Sequence, residues 1–122
     1  MNPVLRKRVL KFGGTCLSNR SRFNWIKDVV KKEVVNTIHP IIVVSAISVG
    51  SKNVGTTNNL IGALQTGCPI KRDDHLAWIM DDHLFITNEL ISDQKIKNKL
   101  YAKFEDTLDG VETLCKSNEM MN

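Results

Sequence analysis

A run of four β-branched residues, Ile41 to Val44, stands a helix-length behind a second apolar stretch, Val9 to Phe12, that stops at Gly13-Gly14-Thr15. This pairing restricts the fold more than any other feature of the chain. Val9 to Phe12 ending on two glycines reads as a strand that breaks into a turn. Ser18, Asn19 and Ser21 are candidate N-caps for the helix that follows, and Phe23, Ile26, Val30 and Val34 fall at spacings of three and four, one apolar stripe. Pro40 disfavours helical geometry at the residue before it, so the helix is expected to end near Thr37. An uninterrupted β-branched run is the pattern of a strand buried on both faces, which implies a parallel sheet.

Strand, turn, helix and strand then form one βαβ unit. In such a unit both strands end on one edge of the sheet, and open α/β sheets bind ligands outside those carboxyl ends. The turn at Gly13-Gly14 and the Ser-, Gly-, Asn- and Thr-rich loop Ser45 to Thr57 are expected to share one crevice. Leu60, Ile61 and Leu64 continue as a helix capped by Thr56 or Thr57, and a helix start with free N–H groups favours anions. Beyond Gly67-Cys68-Pro69 two long helices are predicted, Asp74 to about Glu89 and Ser92 to about Lys116. They are separated by a cap at Ser92-Asp93 and read as a pair covering the sheet. Gly110 marks a kink or helix end, and the tail from Ser117 has no pattern that closes a fold.

Composition narrows the function. The chain has 122 residues, 42% hydrophobic and 25% charged, the profile of one globular domain rather than a disordered chain. The longest charge-free apolar run, Ile41 to Gly50, is about half of the roughly 20 residues a membrane span requires. Val9-Leu10 is too short for a signal-peptide core. Three widely spaced cysteines, Cys16, Cys68 and Cys115, offer neither a CxxC pair nor metal-ligand spacing, which suits a reducing, cytoplasmic setting. The net charge of +4 is divided unevenly: residues 1–32 carry nine Lys and Arg against one acid, and the remainder eight against twelve. Such a basic quarter implies an anionic partner. Asp73-Asp74-His75 and Asp81-Asp82-His83 do not share a helical face and read as solvated charge, with no metal expected. Trp25 and Trp78 read as core residues.

Lys11, between Leu10 and Phe12 at a strand end, either snorkels to solvent or serves as a phosphate ligand beside two glycines whose backbone an anion can approach. The GxxxxGK[ST] loop is absent.

Val-Leu-Lys-Phe-Gly-Gly-Thr (9–15), Ile-Ile-Val-Val-Ser-Ala-Ile-Ser (41–48) and Gly-Thr-Thr-Asn-Asn-Leu (55–60), in that order, resemble the start of the aspartate kinases of the amino acid kinase superfamily. The loop between Ser48 and Gly55 is longer than in most bacterial members and more similar to the fungal ones. The resemblance implies an α/β fold: residues 1–122 would be the N-terminal portion of an amino acid kinase domain, an incomplete parallel βαβ sheet with covering helices. It implies transfer of the ATP γ-phosphoryl to the side-chain carboxylate of L-aspartate, giving 4-phospho-L-aspartate for lysine, threonine and methionine biosynthesis. ATP and Mg2+ are the implied cofactors, ATP and L-aspartate the substrates, with no nucleic acid or membrane partner. By the same resemblance Lys11 is catalytic and binds phosphate together with Gly13, Gly14, Thr15 and Ser45, while Thr57 binds aspartate. Such chemistry needs positioning and charge neutralisation rather than a protein nucleophile.

Two departures stand out. Cys16 replaces the usual Ser, and its S–H is a weak donor. The family's Ser-x-Gly-Glu and Arg-Gly-Gly-Ser-Asp strings do not occur in the sequence, nor do the regulatory domains through which family members oligomerise. The chain is therefore expected to be a truncated piece, inactive alone. A non-catalytic anion-binding remnant that pairs with a full-length kinase is the alternative. A basic nucleic-acid-binding module is the third, without aromatic interleaving to support it.

Overall fold

The computed structural model describes residues 6–49 and 55–121. In chain order these form β1 (Arg6–Phe12), a 3-10 turn (Gly14–Leu17), α1 (Arg20–Val35), β2 (Ile38–Val44), α2 (Gly55–Gln65), α3 (Pro69–Leu90) and α4 (Gln94–Met121).

β1 and β2 pair in parallel, with Arg6 opposite Ile38 and Phe12 opposite Val44. The Ser45 N–H donates to the Phe12 carbonyl at 3.0 Å. Backbone groups alternate sides along a strand, so the N–H groups of Val43, Ile41 and His39 also turn toward β1 and those of Val44 and Ile42 turn away. Pro40, which has no N–H, falls at an outward position. This is why β2 starts at Ile38 and runs through the proline: with no further strand beside it among the described residues, no ladder bond is lost.

α1 is capped by Asn19, whose side chain accepts from the Arg22 N–H at 2.9 Å. It ends at Val35, two residues before the expected limit, because Thr37 adopts φ 58° and its N–H returns to the Val34 carbonyl. One face of the sheet meets α1. Phe12 contacts the Trp25 ring edge-on at 5.9 Å, and Arg8 pairs with Glu33 at 2.8 Å. Neighbouring strand residues point to opposite faces, so Val9, Lys11, Ile41 and Val43 lie on the other side, where they are exposed.

The expectation that β2 is buried on both faces is overturned. Ile41 to Val44 are 44–58% exposed, because the described residues supply two strands and cover one face in part. Trp25 and Trp78 are also exposed, at 52% and 40%, rather than core residues.

The long helices depart from the sequence reading as well. α3 starts at Pro69, in the first helical turn where a missing N–H costs nothing. α4 runs through Gly110 to Met121, past the expected end, and its start is held by Asp93, which accepts from the N–H groups of Lys95 and Ile96. The pair does not lie over the sheet. Both helices pack on α2 and on each other, around a core of Ala63, Leu76, Ile79 and Cys115 flanked by Leu108 and Val111.

Polar groups register this helical layer. Asn59 is fully buried and its Oδ1 accepts from His75 Nδ1 at 3.0 Å. Buried Arg72 donates to Glu119 at 2.7 Å, joining the start of α3 to the end of α4. Gly62 lets the His75 ring approach α2, since a Cβ there would stand 2.6 Å from the imidazole. No helix among the described residues is long and apolar enough to cross a membrane.

Two glycine substitutions should diverge. Gly62→Ala forces the imidazole off Asn59 and should destabilise by about 1–3 kcal/mol. Gly110→Ala meets nothing within 4 Å on an exposed helical position and should stabilise by up to about 1 kcal/mol. Urea unfolding followed by circular dichroism reads both.

Candidate functional site

The site forms where β1 and β2 end. Because the strands are parallel and in register through Phe12 and Val44, the segments that leave them emerge side by side. The first turns at Gly13 into the 3-10 helix, where the Cys16 N–H closes on the Gly13 carbonyl at 3.0 Å. The N–H groups of Gly14 and Thr15 precede that first closing bond, so the turn itself does not occupy them. Ser18 Oγ donates to the Thr15 carbonyl at 2.8 Å, fixing the far side of the turn.

The second segment, 45–49, lies directly against this turn. A Cβ on Gly14 would stand 3.2 Å from the Ala46 carbonyl oxygen and 3.5 Å from Ser48 Cβ, so glycine permits the approach. α2 begins against the same segment. Gly55 has φ +85°, and a Cβ there would stand 3.0 Å from Ser48 Oγ. Thr56 then donates twice to the Ile47 carbonyl, from its N–H at 3.3 Å and from Oγ1 at 2.9 Å. Neither Thr56 nor Thr57 acts as the expected N-cap, since both fall inside the helix that starts at Gly55.

The candidate residues are distributed accordingly. Gly13, Gly14, Thr15 and Ser45 come together at the strand ends, with the Ser45 N–H already committed to Phe12. Lys11 is exposed, opposite Val43 and on the sheet face away from α1, and takes part in no ion pair among the described residues. Thr57 is exposed in the first turn of α2. Cys16 is half-buried. Residues 50–54 of the long loop lie outside the described residues. Ser48 and Thr56 matter more than the sequence reading allowed: Ser48 touches both glycine positions, and Thr56 ties α2 to the crevice. The pattern Ser-x-x-x-x-x-x-Gly-Thr carried no signal for these contacts.

The described residues contain no group of three or more His, Cys, Asp or Glu placed to hold a metal ion. The reading of the Asp-Asp-His repeats as solvated charge holds for Asp73, Asp74 and Asp81, which are exposed, but not for Asp82, which is buried, nor for the half-buried His75 and His83, which bond to Asn59 and to the Ile79 carbonyl.

A glycine-lined turn, a facing loop and a helix start at the carboxyl ends of parallel strands define the class: residues 6–112 match the amino acid kinase family, and the chain belongs to it. The fold is shared with E. coli aspartokinase III. The chain superposes on that enzyme in complex with aspartate and ADP (R-state) with a TM-score of 0.73, and in complex with lysine and aspartate (T-state) with 0.72. Identity is 23% in each case, over 93% of this chain and 22% of the aspartokinase chain. The described α/β architecture is thus an N-terminal part of the aspartokinase fold, and the chain spans about a fifth of that protein's length. No curated protein sequence matches it.

The Gly55 junction should be sensitive. Gly55→Ala imposes a side chain on a left-handed residue against Ser48, and should cost about 1–2 kcal/mol. Amide exchange at Thr56 should accelerate with it, while Gly67→Ala, with open space around it, leaves that exchange unchanged.

Proposed function

We propose that this chain is the phosphate-binding, N-terminal portion of an aspartate kinase domain, acting in transfer of the ATP γ-phosphoryl group to the side-chain carboxylate of L-aspartate. The products are ADP and 4-phospho-L-aspartate, and the reaction serves lysine, threonine and methionine biosynthesis. The observation that carries this reading is the closure of Gly14 on the Ala46 carbonyl and Ser48, which sets beside the start of α2 a turn whose Gly14 and Thr15 N–H groups make no backbone bond among the described residues. Membership of the amino acid kinase family supplies the reaction class.

In this reading Lys11 neutralises charge on the phosphoryl group in flight, and the backbone of Gly13, Gly14 and Thr15 receives its oxygens. Ser45 borders the nucleotide side of the crevice, and Thr57 hydrogen-bonds aspartate. Mg2+ enters with the nucleotide, as its counter-ion. No step is assigned to protein ligands of that ion, because the described residues hold no carboxylate cluster for it. The three unpaired cysteines suit a cytosolic setting. Regulatory domains and the oligomerisation they mediate belong to the remaining length of such a kinase, of which this chain matches 22% in aspartokinase III.

The test is an ATP or inorganic phosphate titration followed by amide NMR. Gly13, Gly14, Ser45 and Thr57 should shift first, and Lys11→Ala should weaken binding by about tenfold, the usual loss when one charge-assisted contact goes. Lys31→Ala combined with Lys32→Ala, on exposed α1, should have little effect at physiological salt. The reverse pattern, with the α1 double variant abolishing binding and Lys11→Ala leaving it intact, would reject the assignment in favour of generic polyanion binding. Aspartate-dependent ADP release by the 122-residue chain alone is expected to be absent, since in-line geometry requires the nucleotide-binding half.

A further inference from the structure

A second cavity, of about 480 Å3, lies away from the strand ends, between α2, α3 and α4. It falls within the range of roughly 300–1,000 Å3 typical of small-molecule sites. Its walls are apolar: Leu60 from α2, Ile79 and Met80 from α3, and Phe104, Leu108 and Val111 from α4. Four polar residues complete the lining, and three of them each donate a hydrogen bond within the chain. Thr56 Oγ1 donates to the Ile47 carbonyl, and Thr107 Oγ1 donates to the Lys103 carbonyl at 2.8 Å. His83 Nδ1 lies 2.7 Å from the Ile79 carbonyl, which can only accept, so this nitrogen carries the proton. The His83 ring meets Phe104 at 5.0 Å, forming an aromatic wall.

Lys103 is different. It stands exposed on α4, lines the groove, and has no ion-pair partner among the described residues. Asp106, three residues on, lines the adjoining α4 surface with Lys99 and Lys103 but not the groove itself, so Lys103 borders both. The cavity thus offers apolar and aromatic walls with a single uncommitted cation at its edge.

We propose that this groove binds a small aryl-substituted carboxylate, its ring on the His83–Phe104 wall and its carboxylate on the Lys103 ammonium. Burial of the ring supplies affinity, and the lysine selects the anion over a neutral analogue. The site does not depend on the kinase reading. It has a route to the strand-end crevice all the same, because Thr56 lines the groove while holding α2 to Ile47.

The probe is 3-phenylpropionate, titrated into the full chain and followed by methyl NMR, with 3-phenylpropan-1-ol as the neutral isostere. An 11-atom ligand of ordinary efficiency should bind with a Kd on the order of 1 mM. Saturable shifts are expected at the methyl groups of Leu60, Ile79, Met80, Leu108 and Val111. The alcohol should bind about fivefold more weakly, Lys103→Met should bring the acid down to the level of the alcohol, and Lys99→Met should leave both unchanged. Equal affinity for acid and alcohol overturns the proposal, as does an inert Lys103→Met. Shifts centred on Ile41 to Val44 overturn it too, since they would place the ligand on the exposed sheet.

Discussion

The parallel register of β1 on β2, closed by the Ser45 N–H on the Phe12 carbonyl, is the constraint from which the rest of the structure follows. It brings two chain segments out of the sheet at the same level, close enough that a side chain on Gly14 would crowd the Ala46 carbonyl. The position of the second segment then locates α2, because the Ile47 carbonyl is where Thr56 docks. α2 in turn locates α3 through Asn59 and His75, and α3 locates the end of α4 through Arg72 and Glu119. A shift of one residue in the register would turn every strand side chain to the opposite face and break the sequence of contacts at its first link.

These contacts join two unequally covered layers. The helical layer has a contiguous buried core, and its interior Asn59 and Arg72 bond across it, Asn59 Oδ1 with His75 and Arg72 Nη1 with Glu119. The sheet layer buries Phe12 and Leu17 but leaves Val9 and the whole of Ile41 to Val44 open. Exposed apolar strands of this kind are the usual seat of association, and the crevice is attached to the less protected layer. Its stability therefore leans on α2, which explains why the junction at Gly55 and Thr56 bears on the site although neither residue carries a charge.

Much of this was legible in the sequence. The order strand, glycine turn, helix and strand followed from Gly13-Gly14 and the β-branched run, and the convergence of the turn with the loop after Val44 followed from parallel pairing. Asn19 was readable as one of three candidate caps, with Ser18 and Ser21, because such a side chain acts on its own neighbours. What was not legible depended on distant parts of the chain. The run Ile41 to Val44 carries the signature of a doubly covered strand, yet whether it is covered depends on elements outside its own pattern. The docking of α3 and α4 on α2 rather than on the sheet turns on His75 fitting over Gly62, a contact between residues whose individual positions carry no periodic signal. Thr37, a β-branched residue in the left-handed region, ended α1 where sequence spacing gave more weight to Pro40.

Pro40 has a bearing on that open edge. Because it occupies an outward position of β2, the rim that the described residues leave uncovered offers donors at Ile42 and Val44 and again at Ile38, but none between Ile38 and Ile42. A strand laid along that rim would meet two successive donors toward Ser45, and toward Thr37 a gap before the next donor, at Ile38. The proline thus interrupts the rim partway along and leaves its unbroken stretch beside the mouth of the crevice.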